Sequence, residues 1–216
     1  MNGGAISLEG LLSKSGELRA SIAAHREHLT VYPGQRHVSS ATAAAISLEH
    51  ADAVLVLADV GTYASALALF RVQYEALVRG VWLLYAASDG WVEKLSAPLN
   101  TETARKGNEG PMLSKMLEEL DGKTPPAVVQ QLSEFKTYSW KALSSYVHVG
   151  LHPLTRTVEG YPAVLVEQML RQSNGLALMA TMLLTILSGD PKQEGKVAKL
   201  QAEFMSCCPN TADKCG

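Results

Sequence analysis

"YASALALFRVQYEALVRGVWLLYAAS", residues 63–88, decides the fold. Leu67, Phe70, Tyr74, Leu77, Val81 and Leu84 recur at alternating spacings of three and four, the period of one helix face, and their neighbours are apolar nearly all round. Such a segment predicts a central, buried α-helix. Three charged residues interrupt it: Arg71, Glu75 and Arg79 stand at i, i+4 and i+8, a slowly drifting stripe on which Glu75 can pair with either arginine. Charges on so apolar a helix need partners, which makes them either a solvated ion-pair ladder or a polar site within a cleft.

Outward from this helix the pattern stays helical. Residues 8–29 place Leu11, Leu18, Ile22, His25 and Leu29 on one side, and Pro33-Gly34 then marks a turn. Residues 39–58 resume the spacing through Ala41, Ala45, Leu48, Ala51 and Leu55, and their abundance of alanine permits close helix approach. Residues 89–123, rich in Gly, Pro, Asn and charge, predict a peripheral connector ending in a short amphipathic helix at 112–120. Pro125-Pro126 suits a helix start, followed by Val128, Leu132, Phe135, Leu143 and Tyr146 at helical spacing. Pro162 opens a helix to about residue 187, and Gly189 and Pro191 separate it from a last one at 192–205. No two-residue alternation bounded by hairpin turns occurs. The expectation is an all-α, single-domain bundle of about six to eight helices, with its core in 37–188 and a flexible tail at 206–216.

Composition narrows the function classes. The 216 residues are 47% hydrophobic and 19% charged, with a net charge of -2 and a pI near 6.3, so a nucleic-acid partner has to be met by a local basic patch. The N-terminus lacks the basic flank and apolar run of a secretory signal, and the clean apolar run at 175–189 is short for a bilayer. A cytoplasmic protein without membrane association is expected. Cys207, Cys208 and Cys215 all lie in the tail, where they read as reduced thiols and a weak metal signal. Glycine-rich phosphate loops, H-E-x-x-H, C-x-x-C and G-x-S-x-G elements are absent from the sequence, so no cofactor and no metal is expected.

The second chemistry-bearing stretch is "SYVHVGLHPLTR", residues 145–156. Gly150 offers the positive φ of a helix terminus, and Pro153 forces His152 toward extended geometry, which places His152 and Arg156 on a constrained loop beyond Ser145, Tyr146 and His148. A histidine there can move a proton near neutral pH, and an arginine can hold a phosphate or carboxylate. Equally, each histidine can simply favour a helix dipole or bond a turn carbonyl.

The segments "LFRVQYEALVRGVWLL" (69–84) and "KALSSYVHVGLHPLTR" (141–156), in an all-helical setting spanning about 40–188, resemble the HEPN superfamily. That resemblance implies a helical bundle, often dimeric, related to ribonucleases of toxin and phage-defence systems and to members without catalytic activity. Catalytic HEPN proteins carry Arg, four to six residues, then His near the start of a late helix, usually with a polar residue after the arginine. Here His148 and His152 precede Arg156, and the literal match, Arg19 to His25 in "RASIAAH", lies in the first helix with Ala20 after the arginine.

Two readings follow. In the first, a homodimeric, HEPN-like protein acts on or binds RNA: His148 or His152 assists attack by the 2′-hydroxyl or protonates the leaving oxygen, Arg71 and Arg156 stabilise the developing charge, and Glu75, Arg79, Ser145 and Tyr146 support them. An antitoxin or effector protein is its expected partner. In the second, the same cluster belongs to a non-catalytic interaction or ligand-binding module, closed into a hydrogen-bonded network within the bundle.

Overall fold

The computed structural model describes residues 6–103 and 110–209. Among these the fold is all-α, without a strand: α1 (Leu8–Arg26), α2 (Gln35–Asp59), α3 (Tyr63–Tyr85), α4 (Asp89–Ser96), α5 (Leu113–Leu120), α6 (Pro126–Val147), α7 (Leu151–Glu159), α8 (Ala163–Ser188), α9 (Pro191–Glu203) and a 3-10 turn, Met205–Cys207. The number exceeds the expected six to eight because two short helices, α4 and α7, form where the sequence suggested a connector and a loop, while α5 is the short amphipathic helix expected at 112–120.

α3 is the hub, packed on α2, α5, α6 and α8. It lies against α2 so closely that a Cβ on Gly80 would stand 3.2 Å from the Ser40 carbonyl oxygen and 3.4 Å from the Ala44 nitrogen. Small residues on α2 allow this: Ser40, Ala43, Ala44, Ser47 and Ala51 are all buried. Their hydroxyls also serve the interface, Ser40 donating to the Gly80 carbonyl at 2.7 Å and Ser47 to that of Gln73 at 2.9 Å. α2 is long and apolar enough to cross a membrane by length and composition, and here its small-residue face is spent on α3 and α8.

Three expectations are corrected. The core does not begin at residue 37: Leu11, Ser15, Leu18, Ile22 and His25 form one buried face of α1, packed chiefly on α8. Nor is 89–123 wholly peripheral, because Leu113, Met116, Leu117 and Leu120 bury the apolar side of α5 against α3, and Trp82 Nε1 donates to Glu119 Oε2 at 2.8 Å. The tail predicted flexible is docked as far as Pro209: Phe204 and Cys207 are buried, Asn174 Nδ2 donates to the Cys207 carbonyl at 2.7 Å, and Pro209 rests against Gly175. Cys207 and Cys208 are free, buried thiols; Cys215 lies outside the described residues.

Candidate functional site

The stretch 145–156 is a corner between two helices rather than a loop, and its geometry explains each small residue. α6 ends with His148 as its cap, and α7 begins at Leu151. Pro153 therefore occupies the first turn of α7, where its missing N–H costs no intrahelical hydrogen bond. The positive φ falls on Val149 (51°), while Gly150 has φ -79°. Gly150 is demanded by space instead: a Cβ there would lie 2.7 Å from the Ser145 hydroxyl. That hydroxyl accepts the backbone N–H of His152 at 3.1 Å and so satisfies one of α7's orphan donors, a cap supplied from the preceding helix. A β-branched residue in the left-handed region costs roughly 1–2 kcal/mol; the corner is strained at Val149 and held by its neighbours.

The candidate side chains fall into two groups. At the corner, the His152 ring stacks on Tyr146, centroids 6.2 Å apart and planes 19° off parallel, and both histidines are exposed. Burial pushes the Tyr146 hydroxyl's pKa up, neighbouring Tyr161 adds to this, and Arg156 opposes it. The second group is on α3: Arg71 Nη2 pairs with Glu75 Oε1 at 2.9 Å, and the guanidinium lies 4.2 Å from the centroid of the Trp140 ring. Arg71 is nevertheless incompletely satisfied, its Nε and Nη1 being buried without a hydrogen-bond partner. Arg79, two turns beyond Arg71, packs against Gly110.

α3 and α6 run antiparallel, Tyr74 donating to the Leu132 carbonyl at 2.6 Å, Arg71 facing Trp140 and Ala64 and Ala68 facing Tyr146. Burial pushes the Tyr74 hydroxyl's pKa well up, so it serves only as a donor. Trp140 precedes His148 by eight residues, about 12 Å of helix rise. Arg71 and the histidines are thus separate groups, and among the described residues no hydrogen bond or ion pair joins them.

Two features carry little sequence signal. A cleft of about 420 Å³ opens between α3 and α7, lined by Ala64, Ala68, Tyr146, Pro153, Leu154 and Val158 among others. Beside it, α7 turns apolar residues outward: Leu151 is 75%, Leu154 59% and Val158 88% exposed, with Val149 at 66%. Their i, i+3, i+7 spacing is legible, but only the fold reveals that this stripe faces away from the core. The literal Arg19-to-His25 match is structural. Arg19 is nine-tenths buried, donating to Asn174 Oδ1 at 3.0 Å, and burial lowers its pKa to about 10. His25 is 2.9 Å from Thr185 Oγ1 in the α1–α8 interface.

The model of a family of unknown function, DUF6988, matches residues 44–210, which include α3, α6 and α7. The chain belongs to the DUF6988 family. No curated protein and no solved structure matches it. The segments 69–84 and 141–156 both fall inside the match.

Proposed function

We propose that this DUF6988 protein is a HEPN-like, cytoplasmic interaction module that works as a homodimer, its two copies docking through α7. The outward apolar stripe of α7 carries this reading. Leu151, Leu154 and Val158 have no partner side chain within the bundle's core and are exposed by 59–88%, a contiguous patch of the kind that marks an association surface. A second copy suits it because the stripe runs into the cleft, Leu154 and Val158 belonging to both, so that a two-fold axis lays one self-complementary apolar surface on its copy. Spacing at i, i+3 and i+7 is that of an interhelical seam. Between 145 and 165 the only Lys, Arg, Asp or Glu residues are Arg156 and Glu159, of opposite sign, so like charges do not oppose the pairing.

The magnitude is adequate. Burying the exposed part of each apolar side chain contributes about 1–2 kcal/mol, on the order of 10 kcal/mol over both copies, against an association cost of about 4–15 kcal/mol. A weak, concentration-dependent dimer results, and its mass against concentration is the test: a strict monomer at about 100 μM ends the reading.

One observation favours a second reading, a metal-independent ribonuclease of toxin or defence type. The His148 and His152 rings are exposed and without hydrogen-bond partners among the described residues, with Arg156 one turn beyond His152; two Arg71 donors are also unpartnered, in a separate group on α3. RNA incubated with the protein in chelator is then cleaved by wild type and spared by His148→Ala or His152→Ala; intact RNA throughout, or equal cleavage by the variants, removes catalysis and leaves the module.

A further inference from the structure

α6 carries a second stripe that neither reading uses. Ser133, Lys136, Thr137, Trp140 and Lys141 recur at three-four spacing on the flank beside the buried Leu132, Phe135 and Leu143, and line a cleft of about 540 Å³ between α6 and α5. That volume lies in the range of small-molecule sites. Trp140 forms an aromatic wall. Arg71 covers the indole at 4.2 Å and Glu75 holds Arg71 in place, while Tyr74 meets the ring edge-on at 6.2 Å. Arg71 is not part of the cleft lining, and its contact braces the indole from outside the cleft.

We infer that the cleft between α5 and α6 binds a nucleoside phosphate, its base stacked on Trp140, its phosphate held by Lys136 and Lys141, and its hydroxyl or amino groups donated to Glu118 and Asp121. The wall charges select this chemistry. Two ammonium groups on α6 suit an anion, but the carboxylates of Glu118 and Asp121 on the facing wall disfavour one that is negative all round, such as inorganic phosphate. Glu118 already pairs with Lys115 at 3.2 Å, and an apolar ligand leaves Lys136, Lys141 and Asp121 unused. A nucleotide presents an anionic end, hydrogen-bond donors and a planar base together, and aromatic stacking tolerates any base. The chemistry is shared by a free nucleotide and by one residue of a single-stranded RNA, and the site does not depend on dimerisation or on the histidines.

The test titrates the full chain separately with adenosine 5′-monophosphate and with hexauridylate, following tryptophan fluorescence and equilibrium dialysis. Saturable binding accompanied by quenching is expected. Trp140→Leu weakens it about tenfold to a hundredfold, Trp140→Phe less so, and the surface pair Lys136→Glu/Lys141→Glu weakens it and flattens its salt dependence, with unchanged helical circular dichroism. Binding of the mononucleotide alone assigns a free nucleotide; binding of hexauridylate, with the mononucleotide weaker, assigns RNA. Failure of both probes to bind at about 10 mM, or equal affinity in the lysine pair variant, overturns the inference, and neither outcome bears on the α7 dimer.

Discussion

Leu154→Glu tests the association surface most directly. Leu154 is 59% exposed and lines the α3–α7 cleft, so the carboxylate remains in water in a lone chain and the fold is disturbed by no more than about 0.5 kcal/mol. In the dimer each copy loses about 1–2 kcal/mol of apolar burial, and because a two-fold axis repeats the change, the loss doubles. Two carboxylates brought near the axis repel and add to it. Together these weaken the dissociation constant at least about a hundredfold, enough to move a micromolar dimer beyond the range of ordinary solutions. Sedimentation velocity from about 1 to 100 μM reads this out: wild type shifts from monomer to dimer with concentration, while the variant stays monomeric with the same melting temperature. An unchanged wild-type-like shift in the variant refutes α7 as the interface.

The corner gives two further expectations. Val149→Gly relieves the positive φ of 51° and, after the entropy that glycine adds to the unfolded chain, raises stability by about 0.5–1 kcal/mol in urea unfolding. Gly150→Ala drives a Cβ into the Ser145 hydroxyl, 2.7 Å away, and breaks the bond that caps α7; it and Ser145→Ala each cost about 0.5–2 kcal/mol, and the double variant costs less than their sum. His25 supplies a pH dependence: burial, then Lys196 and His28, lower its folded pKa below the usual 6.5. The unfolded chain therefore takes up the proton first, so this contribution is whole above about pH 6.5 and is lost as pH falls through the lowered folded value. Melting temperature measured from pH 8 to 5 falls more steeply in wild type than in His25→Gln.

How far the sequence reached differs by element. The α3 seam was legible because one helix was apolar on every side, and the alanine and serine face of α2 announced a close partner. The all-α class followed from periodicity alone. The buried face of α1 was equally visible in Leu11, Leu18 and Ile22, yet nothing local said that α8 would cover it. Likewise, Pro153 and Gly150 advertised a break, but a proline is compatible with a loop or with a first helical turn. Only the distance from Gly150 to Ser145 decided for the turn.

Local spacing determined that this protein is helical, which residues are charged on an apolar helix, and where each helix changes direction, since those depend on backbone preference and side-chain period within a few turns. Tertiary structure alone decided that Arg71 rests on Trp140, that Arg19 and His25 are buried, and that Leu151, Leu154 and Val158 face outward. An apolar stripe has the same period whether a neighbour covers it or not, and exposure is a property of the neighbours.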